Sequence, residues 1–155
     1  MSDTAKSWLF VTVQAILLVA LVILPNPAPT ASHVVLAVRT IVEIIGSSIL
    51  ALSLYDLRRS LTVMPVPVPH GQLQIHGLYR WVRHPMYTGV MTLSLGIAIG
   101  SNYWLKYAIV FGLVLLFNFK ARFEESLLRA KYPGYAAYMR RTPRFLPRLV
   151  KNDSD

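Results

Sequence analysis

The chain contains no cysteine. That excludes disulfides, a thiolate nucleophile and thiolate metal ligation. Acidic residues are scarce too: seven Asp and Glu stand against 16 Lys and Arg, a formal net charge of +9. Charged residues make up only 15% of the chain, against about 25% in an ordinary soluble domain. There are four histidines, none spaced as His-x-x-x-His, so the spacing supports no zinc site and no metal is expected. No Gly-x-Gly-x-x-Gly follows a strand-like run, so the usual dinucleotide fingerprint is missing. Internal repeats and low-complexity tracts are missing as well.

What remains is mostly apolar. Hydrophobic residues reach 54%, and they fall in long blocks with the charges between them. That is the pattern of a polytopic membrane protein. The expected fold is all-α: a helical bundle of about four transmembrane helices with short cytoplasmic helices at the C-terminus. The positive charge is placed accordingly. From Lys120 to the C-terminus nine Lys and Arg face four acids, and from Asp56 to Arg83 four Arg face one Asp. Both segments flank apolar blocks, so the positive-inside rule accounts for them without nucleic acid.

Residues Trp8 to Leu24 form the first block. It exceeds the roughly 7–15 residues of a signal-peptide core, and no Ala-x-Ala site follows, so it reads as a span. Pro25-Asn-Pro-Ala-Pro ends it. The second block runs from about His33 to Leu54. Within it Arg39 and Glu43 lie four apart on one helical face and can pair, either as a structural pair or as part of an acceptor cavity. Met64 to Gly71 alternates proline with other residues and reads as an extended strap. The third block, about Met86 to Gly100, is short for a span. Counting back to Trp81 would lengthen it, with Pro85 in the first turn. Gly96 and Gly100 are spaced for a close helix contact. The fourth block starts near Tyr103, and its helical pattern continues past Phe119 to Lys131. A short helix over Tyr135 to Arg141 follows.

The chain is expected to be one membrane-embedded domain. Residues 1–60 supply two helices, 61–85 a cytoplasmic loop, 86–119 a hairpin and 120–155 a helical tail. Short uncharged turns on the other side place both termini and the loop in the cytoplasm, at the inner membrane if the source is prokaryotic. That topology puts two polar stretches on one face. The first, Tyr79-Arg-Trp-Val-Arg-His-Pro-Met-Tyr-Thr-Gly89, offers Arg83 and His84 as donors and Tyr79 and Tyr87 as aromatics. The second offers Glu124 and Glu125 as acceptors, with Tyr132, Tyr135 and Tyr138. An anionic group, ribose hydroxyls and a flat base would be satisfied by such a set. Each residue also has a plainer reading. The arginines and aromatics fit an interfacial belt. Glu125 has Arg122 and Arg129 within helical reach, and Glu124 has Lys120.

Taken together, the two stretches resemble a known pair. Tyr79-x-x-x-Arg83-His84-Pro85-x-Tyr87-x-Gly89 resembles the first signature of the isoprenylcysteine carboxyl methyltransferase and phospholipid methyltransferase superfamily. About 35 residues on, Glu124-Glu125, then Tyr132-Pro-x-Tyr135-x-x-Tyr138, then Pro143-Arg-Phe-Leu-Pro147, is similar to the second. The resemblance implies an integral membrane enzyme that uses S-adenosyl-L-methionine and methylates a lipophilic acceptor, either a prenylcysteine-type carboxylate or a phospholipid-type amine. It implies a cofactor pocket with Tyr79, Arg83, His84, Pro85, Tyr87 and Gly89 on one wall and Glu124, Glu125, Tyr135 and Tyr138 on the other. His84, Glu124 or Glu125 would serve as base where the acceptor needs one. Two alternatives stay open. One is a nicotinamide-dependent sterol-type reductase, although Met86 and Val90 stand where those enzymes carry Asn and an acid. The other is a non-catalytic membrane scaffold.

Overall fold

The computed structural model describes residues 2–25, 32–58, 73–101 and 103–148. Five α-helices and one 3-10 turn occur among them, and no strand. The helices are α1 (Asp3–Ile23), α2 (His33–Leu57), α3 (Pro85–Ile99), α4 (Trp104–Lys131) and α5 (Tyr135–Arg141); the 3-10 turn is Gly77–Arg80. The proline-rich strap expected at Met64 to Gly71 lies outside the described residues.

Helix α2 starts at His33 as expected, while α1 starts at Asp3, ahead of the apolar block read from Trp8. Ser2 and Ser32 cap α1 and α2, accepting from the backbone N–H of Ala5 and Val35, the usual serine N-cap. Helices α1, α2 and α4 are long and apolar enough to cross a membrane, while α3 has 15 residues. At about 1.5 Å per residue α3 is roughly 22 Å long, short of a hydrocarbon layer of about 30 Å. The described residues thus hold three full-length candidate spans and one short apolar helix, an all-helical bundle of about the expected four apolar helices. Large side chains such as Ile16, Val22, Val34 and Phe111 are exposed on the outer faces. In water so much exposed apolar surface would be a liability; in a bilayer it is the lipid face.

Helix α3 does not reach back to Trp81. It begins at Pro85, preceded by a non-helical His84 at φ −127°, ψ 61°. Proline disfavours helical geometry in the residue before it. The backbone N–H groups of Arg83 and His84 donate instead to the carbonyls of Pro143 and Arg144, at 2.9 and 3.0 Å. The C-terminal tail is thereby tied to the first signature by main-chain bonds.

Two antiparallel pairings organise the bundle. Helices α2 and α3 close on glycine. A Cβ on Gly46 would collide with the backbone of Leu93, and one on Gly89 would sit 2.8 Å from the Leu50 nitrogen. One on Gly96 would sit 2.6 Å from Glu43 Cγ, and Gly100 underlies the Arg39 side chain. The Gly96–Gly100 spacing therefore makes an intramolecular contact. It beds the Arg39–Glu43 pair, whose Nε–Oε1 distance is 2.8 Å. Helices α1 and α4 are joined by Phe10 on Phe123, with centroids 5.9 Å apart, and by Lys120 Nζ donating to Gln14 Oε1 at 2.8 Å. These pairings bring the start of α1, the end of α2, the start of α3 and the end of α4 to one end of the bundle.

Candidate functional site

At that end, Glu125 is the centre of a buried ionic cluster. Its side chain is 2% exposed. Arg83 donates to Oε1 from Nε at 3.1 Å and from Nη2 at 3.0 Å. Arg144 donates to Oε1 from Nε at 3.0 Å and to Oε2 from Nη2 at 2.7 Å. His84 Nε2 lies 3.1 Å from Oε1. A carboxylate buried this deeply is tolerable only with such compensation, and bidentate guanidinium contacts are the strongest available. Neither Arg122 nor Arg129 is among these partners, so the ion pairs local to the helix are not what holds Glu125.

Each partner carries the cluster outward. Arg83 Nη1 donates to the carbonyls of Met139, at 2.9 Å, and Thr142. Arg144 Nη1 donates to Asn118 Oδ1 at 2.8 Å. The hydrogen bond to Glu125 pushes the pKa of the Arg144 guanidinium above its ordinary value. One carboxylate on α4 thus holds the loop before α3, the end of α5 and the tail in register. The donors of Arg83 and Arg144 are largely spent inside the protein.

Glu124 behaves differently. Adjacent residues on a helix point about 100° apart, and Glu124 faces the aromatic side of the cluster. Its side chain is 27% exposed. Tyr87 donates to its Oε2 at 2.9 Å, and His84 Nδ1 lies 3.6 Å from the same oxygen. Both contacts fall on Oε2. His84 and Tyr87 stack at 5.3 Å with planes 1° apart, and Tyr87 stacks on Phe117 at 4.7 Å. Lys120 Nζ lies 5.3 Å from the Tyr87 ring centroid. The result is an aromatic ledge, a partly open carboxylate and a buried cation side by side.

A tyrosine group packs α5 against the 3-10 turn. The Tyr138 hydroxyl donates to the Tyr79 carbonyl, and the Tyr135 and Tyr138 rings lie 5.8 Å apart. Burial raises the pKa of the Tyr79 and Tyr135 hydroxyls and pushes Tyr138 up to about 12. All three stay neutral donors at physiological pH. The 3-10 turn itself rests on Asp56, whose Oδ2 accepts from the Leu78 N–H at 2.9 Å. Gly77 there adopts φ 61° with the Asp56 carboxylate against it, so a side chain would be both strained and blocked.

The expected site residues thus separate. Arg83, His84, Tyr87, Glu124 and Glu125 converge. Tyr79, Tyr135 and Tyr138 form an adjoining packed group. Pro85 is the buried first residue of α3, and Gly89 faces the α2 backbone, which explains it as a helix contact. The residue that sequence reasoning passed over is Arg144. It lies within Pro143–Pro147, between two prolines that hid its long-range contact. Asp56, Gln14 and Asn118 were also missed, and Lys120 was read only as a helical neighbour of Glu124; the partner of each is distant in sequence.

Sequence comparison places this multi-pass helical bundle in the class of membrane methyltransferases. The chain is a member of the phospholipid methyltransferase family, which matches residues 33–134. It is also similar to the cobalt-zinc-cadmium resistance protein CzcN of Cupriavidus metallidurans, with 34% identity over 89 residues. That match covers 52% of this chain and 38% of the relative, so the chain spans well under half of the relative's length. No solved structure matches the chain.

Proposed function

We propose that the protein transfers a methyl group from S-adenosyl-L-methionine to a lipophilic acceptor at the cytoplasmic face of the membrane. The observation that carries this reading is the division of labour between two neighbouring glutamates. Glu125 is saturated by Arg83, His84 and Arg144. Glu124, beside it, keeps a partly exposed carboxylate next to a stacked His84–Tyr87 ledge. The residues fit such a cofactor: the partly exposed Glu124 carboxylate for ribose hydroxyls or a positive centre, with the aromatic His84 and Tyr87 beside it for a base.

When bound, the cofactor supplies an activated methyl group with a good leaving group. The protein's own task is then alignment and exclusion of water. Glu124 and Tyr87 hold and orient the ligand. His84, fixed between the two carboxylates, sets the position of the ledge. Arg83, Arg144 and Glu125 keep the pocket walls together and are positioning residues. Where the acceptor is an amine, Glu124 takes its proton; a carboxylate acceptor needs no base. The chain acts as one domain, with both termini cytoplasmic.

The direct test supplies labelled S-adenosylmethionine, with a membrane lipid extract and a prenylcysteine analogue side by side, and identifies products by mass. A labelled lipophilic product supports the reading and names the acceptor class. No labelled product from either arm, with NADPH bound by the purified protein, would favour a reductase instead.

A further inference from the structure

A cleft of about 460 Å³ lies against the first turn of α3. Ile49 of α2, Leu78, Val82, Pro85, Phe145 and Arg148 line it. Its size falls within the roughly 300–1,000 Å³ of ordinary ligand pockets. Its polarity is graded. Ile49 lies inside a candidate membrane span, eight residues before Leu57, the end of α2. Arg148, at the opposite wall, is exposed and is the one charged residue among the described residues of the lining. Among the described residues no acid lines the cleft. Trp81, also in the lining, is 58% exposed, and Leu146 on the tail beside it is 74% exposed. A half-exposed tryptophan and an exposed leucine are typical of a membrane–water boundary.

The tail forms the outer wall in a defined way. Its backbone is pinned at Pro143 and Arg144 by the N–H groups of Arg83 and His84. The Thr88 hydroxyl then donates to the Phe145 carbonyl at 2.8 Å. Beyond Phe145 the tail runs along the cleft to Arg148. One strap thus carries Arg144 into the ionic cluster and Arg148 to the cleft rim.

The geometry points to a binding site for an anionic lipid of the surrounding bilayer. Its acyl chain lies between Ile49 and Phe145, and its phosphate meets Arg148. A hydrocarbon chain suits an apolar lining that reaches into a membrane span, and a negative headgroup suits the single rim cation. This site is additional to the proposed methyl-donor pocket. A lipid held there braces the strap that supplies Arg144.

The test uses the full chain in bilayer discs of equal phosphatidylcholine and phosphatidylglycerol. The protein is stripped into detergent and its retained lipid is quantified by mass spectrometry. The wild type is expected to retain phosphatidylglycerol in excess over its bulk share. Arg148→Glu should cut that excess about fivefold, the effect of one interfacial cation. Arg141→Glu, an equal charge change at an exposed position on α5, should leave it within about twofold of wild type. Ile49→Trp, which fills the cleft, should lower retention of both lipids. Three results would each overturn the proposal: no excess in the wild type, equal loss in the two arginine variants, or undiminished retention in Ile49→Trp where that variant keeps its wild-type melting temperature. Binding of S-adenosylhomocysteine, measured on the same samples, separates failure of this site from failure of the methyltransferase reading.

Discussion

Two consecutive glutamates with different environments make opposite predictions. Removing Glu125 leaves Arg83 and Arg144 converging on nothing; the Arg83 side chain is only 9% exposed. Breaking a buried pair by deleting one partner typically costs about 3–5 kcal/mol. Glu125→Ala should therefore lose roughly that much stability, read as a large fall in melting temperature in detergent. Glu124→Gln should behave otherwise. It gives up one charge-assisted bond to Tyr87, about 1.5–3 kcal/mol at most and less in a partly exposed setting. Its fold should hold while cofactor affinity falls about tenfold or more. A melting curve and a binding isotherm on each variant check both statements. Tyr87→Phe removes the same bond from the other side, and it should weaken the ligand without the collapse seen at Glu125.

At the scale of the elements, glycine decides how closely α2 and α3 approach. Gly46 meets the backbone of Leu93, which cannot swing away as a side chain can. Gly46→Ala should cost about 1–3 kcal/mol through overpacking. Gly112 is the contrast, since its nearest neighbour is the flexible Leu17 side chain at 3.9 Å. Gly112→Ala should be neutral or gain up to about 1 kcal/mol in helix propensity. Thermal melting of the two variants side by side should give shifts that differ in size and, where Gly112→Ala stabilises, in sign.

The elements also show what could be read in advance. Helix α5 starts and ends where the sequence placed it, because Tyr132-Pro-Gly and Thr142-Pro mark both ends. The continuation of α4 from the apolar block to Lys131 was legible from its unbroken helical pattern. The Arg39–Glu43 pair was legible from its spacing of four. What could not be read was partnership across the chain. Glu125 has Arg122 and Arg129 at helical spacing, yet its donors come from residues 42 and 19 positions away. Arg144 looked like one more basic residue in a basic tail. The start of α3 at Pro85 lies within one residue of the apolar block read from Met86, but nothing local announces that Arg83 and His84 give their N–H groups to the tail.

At the scale of the whole molecule, the pairing of α1 with α4 and α2 with α3 gathers the N-terminus, the loop and the tail at one end. The family match begins at residue 33, so α1 lies outside it. Even so, α1 reaches the site through Gln14 on Lys120. Side assignment can be tested cleanly because the chain has no cysteine and needs no background removed. Single cysteines at Ser2 and Arg141 should react with an impermeant maleimide only from the cytoplasmic side. One at Tyr103 should react only from the opposite side. Labelling of Ser2 and Arg141 from different sides would break the shared-face arrangement on which the pocket depends.

The measurement closest to the central claim is calorimetric titration of the purified protein with S-adenosylhomocysteine, with NADPH as the parallel ligand. One-to-one binding of S-adenosylhomocysteine, none of NADPH, and loss of about tenfold or more in affinity in a folded Glu124→Gln variant is the predicted result. Failure of S-adenosylhomocysteine to bind the folded wild type, or undiminished binding to Glu124→Gln, would contradict it.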